Sequence, residues 1–149
     1  MFYSLRVRHD ELAFKYDEYK SSLMKTISIG IVGAGSIATN MHIPVLKAMK
    51  SGRIAWITDI DAVNSRRVAL SYGLKAVSLE NGVGDLPGCD LVLLALPVPP
   101  REQYYNFYAE TDTAIFAEKP LAVDSAEHLR LMTAFQPWQV SVGYQRRTY

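Results

Sequence analysis

Apolar runs and helix-like stretches alternate along the chain from Thr26 onward. We predict helices over 36–50, 62–72, 101–110 and 125–134, and strands over 26–32, 54–59, 75–78, 90–96, 113–117 and 138–144. This alternation is typical of parallel βαβ crossover units. Because residues 91–96 (LVLLAL) have no polar position, we expect that strand to be covered on both faces. The pattern predicts an α/β fold with a doubly wound parallel sheet in the order 3-2-1-4-5-6.

Residues 1–25 differ in character from the rest of the chain. Charged and aromatic side chains alternate there, and several leucines and tyrosines are loosely spaced for one face of a helix. The segment is an amphipathic helix that docks on the domain or a partner, or is disordered, or is not part of the mature protein. A start at Met24, just before the first strand, would make it dispensable. We therefore divide the chain into an extension, 1–25, and a globular domain, 26–149.

The first predicted strand ends at a turn of small residues. Residues 33–38 read GAGSIA, which has the spacing G-x-G-x-x-A. In such a turn Gly33 permits the tight bend and Gly35 lets a pyrophosphate approach the backbone. Ser36 and Ile37 then open a helix, whose free N–H groups and positive dipole end face the phosphates.

The second predicted strand ends on Asp59, where an acidic side chain can accept hydrogen bonds from an adenosine ribose. Alone, a turn of small residues is also an ordinary structural feature. Between two strands, with an acid after the second, it predicts a site for a dinucleotide. Asp59 favours NAD over NADP, because a carboxylate binds the 2′-hydroxyl and repels a 2′-phosphate. Arg66 and Arg67 could serve a phosphate instead, but they lie in the middle of a predicted helix.

Ligands of doubly wound sheets bind at the carboxyl ends of the strands. Leu96 and Pro97 follow the fourth predicted strand, and Glu118 and Lys119 follow the fifth, so we add these four residues to the candidate cofactor site. Residues 80–88 (ENGVGDLPG) are interpreted as a turn-rich connection and not as a binding motif.

Composition narrows the classes of function. The chain has 149 residues, 49% of them hydrophobic, and a net charge of +1, which gives no electrostatic reason to bind nucleic acid or an acidic membrane. No apolar run approaches the roughly 18–20 residues that span a bilayer, and the N-terminus does not read as a secretory signal. Cys89 is the single cysteine, so an intrachain disulfide is excluded. We expect a cytoplasmic protein with a small-molecule substrate and no metal site.

The residues after the strands resemble those of a known family. The GAGSIA turn with His42 in the following helix, the acid after strand two, the proline turn after strand four and the sequence EKP at 118–120 occur in the order found in the glucose–fructose oxidoreductase / inositol dehydrogenase / MocA family. Residues 142–147 (VGYQRR) resemble the segment with which that family leaves its nucleotide-binding domain. The resemblance covers residues 27–147 and corresponds to the N-terminal half of those proteins.

The resemblance implies an oxidoreductase that moves hydride between NAD(P) and a secondary alcohol of a sugar or cyclitol. It also implies a catalytic role for Lys119, beside the nicotinamide, where the ammonium stabilises the charge that develops on the substrate oxygen. The family has a histidine where this chain has Arg101, a departure that weakens any role for that loop. His42 is as well explained by packing as by function, and we leave it out of the site.

The family's second α/β domain, which binds substrate and supplies an aspartate and a histidine, has no counterpart in residues 1–149. The chain is therefore part of a longer dehydrogenase, one subunit of a split enzyme whose partner chain supplies that domain, or a module that binds NAD(H) without turnover. Homo-oligomers are also expected in such a family. A methyltransferase that binds S-adenosylmethionine is a minor alternative, because EKP has no assigned role there.

Overall fold

The computed structural model describes residues 26–144, which form a five-stranded parallel sheet. The strands lie side by side in the order β2-β1-β3-β4-β5, and every neighbouring pair is parallel. Their bounds are β1 Ile27–Val32, β2 Gly52–Thr58, β3 Leu91–Leu94, β4 Ala114–Ala117 and β5 Val140–Val142. The chain reverses its winding between β1 and β3, which confirms the predicted doubly wound sheet. Residues 1–25 and 145–149, and with them the predicted extension, lie outside the described residues.

Four helices connect the strands. We label them α1, with a π-helical part Ala38–His42 and an α-helical part Ile43–Ala48, α2 Ala62–Tyr72, α3 Glu102–Tyr108 and α4 Ser125–Ala134. Short 3-10 turns lie at Val83–Asp85 and at Pro99–Arg101, the latter leading into α3. None of the helices within residues 26–144 has the length and apolar character needed to cross a membrane.

The strand predicted over 75–78 is wrong. This segment makes a single parallel bridge, between Ala76 and Ile57, on the edge of β2 that faces away from β1. The Ile57 N–H donates to the Lys75 carbonyl and the Val77 N–H to the Ile57 carbonyl, each at 2.9 Å. The Thr58 hydroxyl then donates to the Val77 carbonyl at 2.7 Å. The pairing goes no further where β2 itself ends at Thr58, although the segment holds the position of the predicted third strand.

Several boundaries also differ from the predictions, since β2 begins at Gly52 instead of residue 54 and β3 ends at Leu94 instead of residue 96. The last strand is limited to three residues, Val140–Val142, instead of residues 138–144. The first helix is not α-helical throughout, since Ala38–His42 is wound as a π-helix in which the Ile43 N–H donates to the Ala38 carbonyl. Such π turns add a residue to the helix and occur often at functional sites. Here the π turn ends on His42.

Apolar side chains fill both faces of the sheet. One cluster includes Ile31, Ile57 and Leu93 with residues of α1 and α2, and the other includes Val92 and Leu94 with residues of α3 and α4. Successive residues of a strand point to opposite faces, so a strand covered on both sides has no polar position. This explains the uninterrupted apolar run of β3 and confirms the expectation drawn from it. The core thereby fixes the strand ends that carry the candidate site.

Gly30 is required because Trp56 of the neighbouring strand lies against it. A Cβ added to Gly30 would lie 2.1 Å from Cζ2 of Trp56, whose ring is buried and whose Nε1 donates to the Pro87 carbonyl at 3.0 Å. We expect Gly30→Ala to lower the free energy of unfolding by about 3 kcal/mol, at the upper end of the usual range for overpacking. Urea unfolding followed by tryptophan fluorescence measures this change.

Gly88→Ala is the matched control, because no atom lies within 4 Å of a Cβ at Gly88. We expect this change to alter the free energy of unfolding by less than about 0.5 kcal/mol. Equal stability of the two variants would show that Trp56 does not pack over Gly30.

Candidate functional site

The glycine turn after β1 requires a residue without a side chain at position 33. Gly33 has φ +101°, and its N–H donates to the Thr58 carbonyl at 2.8 Å. A Cβ at this position would lie 2.4 Å from the Ala95 carbonyl oxygen. Both the backbone conformation and the close approach of the chain after β3 therefore require glycine. The turn connects β1 to α1 while touching the ends of β2 and β3.

The Asp59 carboxylate faces the glycine turn. Its Oδ2 accepts the Ala34 N–H at 2.6 Å, and its Oδ1 accepts the Asp61 N–H at 2.9 Å. The Asn64 side-chain amide donates to the Ala34 carbonyl at 3.0 Å, so the peptide groups on both sides of Ala34 are held. The turn and the acid after β2 thus form one hydrogen-bonded unit that carries a negative charge beside the turn.

Gly35 lies in open space next to this unit. No atom lies within 4 Å of the position that its Cβ would take, and its φ is not positive. Ser36 and Ile37 follow as exposed residues at the start of the helical segment that becomes α1. The N–H groups of a helix's first residues have no partner within the helix, so they are available to a ligand. A phosphate group can approach the backbone here without meeting a side chain.

A cleft of ≈ 520 Å³ opens beside the turn at the carboxyl ends of the strands. Five of the predicted site residues line it, namely Gly33, Gly35, Asp59, Leu96 and Pro97. The remaining predicted residues, Ser36, Ile37, Glu118 and Lys119, are not part of its lining. The structure therefore brings together the part of the site contributed by β1, β2 and β3.

Sequence reasoning missed other parts of the cleft wall. Gly82 and Val83 belong to the segment interpreted only as a connection, yet both line the cleft. Tyr104 of α3 lines it too and is 3% exposed. Burial raises the pKa of the Tyr104 phenol, and the nearby Asp59 charge raises it further, so the ring presents a neutral hydroxyl. These residues gave no sequence signal because only the fold brings them to Asp59.

Lys119 lies directly after β4, in the sequence EKP. The Lys119–Pro120 peptide bond is cis. The side chain is exposed, and within residues 26–144 its ammonium makes no hydrogen bond or ion pair. The Lys119 ammonium, which the resemblance implies to be catalytic, is thus accessible to solvent and has no ion-pair partner within residues 26–144.

Glu118, in contrast, is held by His42. Its Oε1 lies 2.7 Å from Nε2 of His42, and the two side chains are only 16% and 15% exposed. The His42 ring also packs edge-on against Phe116 of β4, with the ring centroids 5.9 Å apart. His42, which we left out of the site, therefore connects the π turn of α1 to the residue before Lys119. The 76-residue separation of this pair explains why the sequence alone did not connect them.

Arg101 is the second residue that sequence reasoning undervalued. It is 1% exposed, and within residues 26–144 its side chain donates to backbone carbonyls of two strand-end loops. Nε and Nη2 donate to Leu96 at 2.8 and 2.5 Å, and Nη1 donates to Pro120 at 2.7 Å and to Glu118. The loop after β3, which lines the cleft, is thereby connected to the loop that carries Lys119.

Comparison with known proteins identifies the family. The model of an oxidoreductase family with an NAD-binding Rossmann fold, the glucose–fructose oxidoreductase / inositol dehydrogenase / MocA family, matches residues 27–144. The chain belongs to this family. An inositol 2-dehydrogenase from Gluconacetobacter diazotrophicus is 32% identical over 128 residues, which are 82% of this chain and 38% of that protein. The predicted resemblance is confirmed, and the chain spans less than two fifths of the length of this relative.

Solved structures agree on the fold. A 3-ketoreductase from Actinomadura kijaniata in complex with NADP has a TM-score of 0.69 at 20% identity, and the match covers 83% of this chain and 42% of that one. The GenD2 protein of gentamicin A biosynthesis, in complex with NAD, has a TM-score of 0.69 at 19% identity over 80% of this chain and 34% of that one. The chain thus has the family's NAD(P)-binding Rossmann fold and corresponds to its nucleotide-binding part.

The two glycines of the turn give a test of its geometry. We expect Gly33→Ala to lower the free energy of unfolding by about 3 kcal/mol, because a side chain is strained at φ +101° and meets the Ala95 carbonyl. Gly35→Ala, the control in the same turn, has open space and should change stability by less than about 1 kcal/mol. Thermal and urea unfolding measure both. Similar losses at the two positions would contradict the described turn.

Proposed function

We propose that this chain is the NAD-binding part of an oxidoreductase that moves hydride between NAD and a secondary alcohol of a sugar or cyclitol. The observation that carries the proposal is the arrangement of Gly35, Asp59 and the cleft. Gly35 leaves open space for a diphosphate, Asp59 stands beside it for the ribose, and the cleft provides room for the rest of the nucleotide.

The backbone from Gly35 to Ile37 would hold the diphosphate. The bare glycine lets the phosphate oxygens come close, and the first N–H groups of the helical segment point toward them with the positive end of the helix dipole. This role needs no side chain, so Ser36 and Ile37 contribute through their peptide groups. A bound nicotinamide would supply the group that accepts or donates hydride.

Asp59 favours NAD over NADP. Two N–H groups already orient its carboxylate toward the turn, and a 2′-phosphate on the ribose would bring further negative charge against it. Arg66 and Arg67 are exposed on α2, and Arg67 donates to the Asn64 side chain at 2.7 Å, so one of the two is already engaged. These observations support a preference for the 2′-hydroxyl.

Lys119 is our candidate catalytic residue. Its ammonium is free to donate a hydrogen bond to a substrate hydroxyl and to stabilise the negative charge that develops on that oxygen. Glu118 lies directly before it in the chain, and we propose that Leu96, Pro97 and Glu118 contact the cofactor at the carboxyl edge of the sheet. The substrate class rests on the inositol 2-dehydrogenase relative.

We propose that a second α/β domain, in the same polypeptide or in a partner chain, completes the site. We also propose that residues 26–149 form one nucleotide-binding domain, preceded in sequence by a separate extension, 1–25.

A module that binds NAD(H) without turnover is the second candidate. The observation that favours it is the exposure of Lys119, because within residues 26–144 no wall covers its side chain from water. We place the protein in the cytoplasm under either proposal, since Cys89 is the only cysteine and a reducing compartment suits such a chain.

Blocking the open side of the turn tests cofactor binding. We expect the chain to bind NADH and Gly35→Val to weaken that binding about 100-fold or more, equivalent to about 2.8 kcal/mol, with little change in the unfolding midpoint. The branched side chain would occupy the space into which the diphosphate must come. Fluorescence titration with NADH, NADPH and S-adenosylmethionine measures this. Unaltered NADH affinity would remove the turn from the site, and binding of S-adenosylmethionine alone would contradict the dehydrogenase proposal.

Removing the charge of Asp59 tests the choice between the two cofactors. We expect Asp59→Asn to lower the ratio of NADH to NADPH affinity by about tenfold, because repulsion of the 2′-phosphate disappears and one hydrogen bond to the ribose is lost. Calorimetric titration with both cofactors gives the ratio.

Asp61→Asn is the matched control, since it removes the same charge two residues away. The Asp61 side chain caps α2 by accepting the Val63 and Asn64 N–H groups, each at 3.0 Å, a role that asparagine also fills. The affinity ratio should stay unchanged in this variant. Equal shifts in the two variants would mean that net charge, and not contact with the ribose, sets the preference.

A further inference from the structure

A buried guanidinium surrounded by carbonyl groups needs a physical explanation. Arg101 is 1% exposed, and within residues 26–144 it makes no salt bridge. Burial of a charge is costly unless hydrogen bonds compensate for the lost water. Here the compensation comes from backbone carbonyls, whose positions are thereby fixed.

The fork of Arg101 bridges two loops at the carboxyl edge of the sheet. One side of the fork, Nε and Nη2, holds the Leu96 carbonyl at 2.8 and 2.5 Å. The other side, Nη1, donates to the Pro120 carbonyl at 2.7 Å and also to the Glu118 carbonyl. The two carbonyls on this side belong to the residues immediately before and after Lys119. Leu96 lines the nucleotide cleft, so one side chain connects the cleft wall to both neighbours of the lysine.

Other contacts fix the same loop without touching the Lys119 side chain. Tyr105, one turn after Arg101, donates its hydroxyl to the Leu121 carbonyl at 3.0 Å. On the opposite side His42 holds the Glu118 carboxylate at 2.7 Å. The backbone from Glu118 to Leu121 is therefore held from two directions, while the Lys119 side chain is exposed and makes no ion pair within residues 26–144.

We propose that Arg101 is a positioning residue that sets the location of Lys119 relative to the nucleotide cleft. The inference rests on the proposed role of Lys119. Its physical basis is the shared guanidinium, since a movement of the Lys119 loop away from the cleft would break hydrogen bonds to Glu118 and Pro120 and leave a buried donor unsatisfied. The Lys119 loop and the cleft wall at Leu96 are thereby held in a fixed position relative to each other.

The planar fork explains why arginine suits this position. A guanidinium has five N–H donors in one plane and can face carbonyls on two sides at once, whereas an ammonium is a compact point donor and an imidazole has one nitrogen on each side. Arg101→Lys keeps the positive charge and removes the bridging geometry. It therefore separates positioning from electrostatics, and Arg101→Met removes both.

The experiment uses the full chain with isotope-labelled methyl groups added to its lysines by reductive methylation, and Lys119→Arg assigns the Lys119 resonance. In the wild type we expect saturating NAD⁺ to shift this resonance. In Arg101→Lys we expect NAD⁺ affinity within about tenfold of wild type but a shift reduced to less than about half, because the lysine no longer has one fixed place beside the cofactor. Arg53→Met, at an exposed arginine near the start of β2, is the control and should retain the full shift.

Each outcome decides a different part of the inference. A full shift in a folded Arg101→Lys variant would overturn the positioning role, and so would loss of cooperative unfolding in both Arg101 variants, which would assign Arg101 to stability. If wild-type protein binds NAD⁺ without a shift of Lys119, the positioning inference fails while cofactor binding stands. If wild-type protein does not bind NAD⁺ in the same titration, the proposed function itself fails and the inference falls with it.

Discussion

The hydrogen bond between the Asp59 carboxylate and the Ala34 N–H is the interaction on which the site depends. It joins the ends of β1 and β2 at 2.6 Å and holds the glycine turn in place beside a negative charge. Gly33 makes the bend possible, and its close approach to the Ala95 carbonyl adds the end of β3 to the same unit. The open position of Gly35 and the direction of the following helix both result from this fixed corner.

The second half of the site is built around β4 by different means. Within residues 26–144 Lys119 makes no hydrogen bond to the glycine turn, and its loop is connected to the cleft wall by side chains of other elements. Arg101 connects the loop to Leu96, and His42 connects Glu118 to the first helix. The glycine turn is thus held by the Asp59 carboxylate and the conformation of Gly33, and the Lys119 loop by Arg101 and His42, so the two halves can be perturbed separately.

Local patterns in the sequence were sufficient for the fold and for the proximity of Asp59 to the glycine turn. Alternating apolar runs predicted the doubly wound sheet, because strands covered on both faces have no polar positions, and spacing alone placed Asp59 near the turn. The extent of pairing at residues 75–78 could not be predicted in this way, because it depends on contacts with the end of β2. There the Thr58 hydroxyl donates to the Val77 carbonyl, 19 residues away in sequence. The π winding of Ala38–His42 likewise has no signature in a pattern of apolar residues.

Contacts between distant residues account for the parts of the site that were missed. His42 and Glu118 are 76 residues apart, and Arg101 reads in sequence as the start of a helix. The cleft is lined by Gly82, Val83 and Tyr104 only because the fold brings the segment 80–88 and helix α3 to the carboxyl ends of the strands. The departure of Arg101 from the histidine that the resemblance implies was a signal in the sequence, and its meaning required the positions of the carbonyls around it.

The most direct test of the proposed diphosphate site, formed by residues 33–37 beside Asp59, is to record the backbone amide resonances of the isotope-labelled chain during titration with NAD⁺. We predict saturable shifts that are largest at Gly35, Ser36 and Ile37, with a second group around Asp59. Shifts confined to other parts of the chain, or none at concentrations that saturate related domains, would contradict the claim that this corner receives the diphosphate.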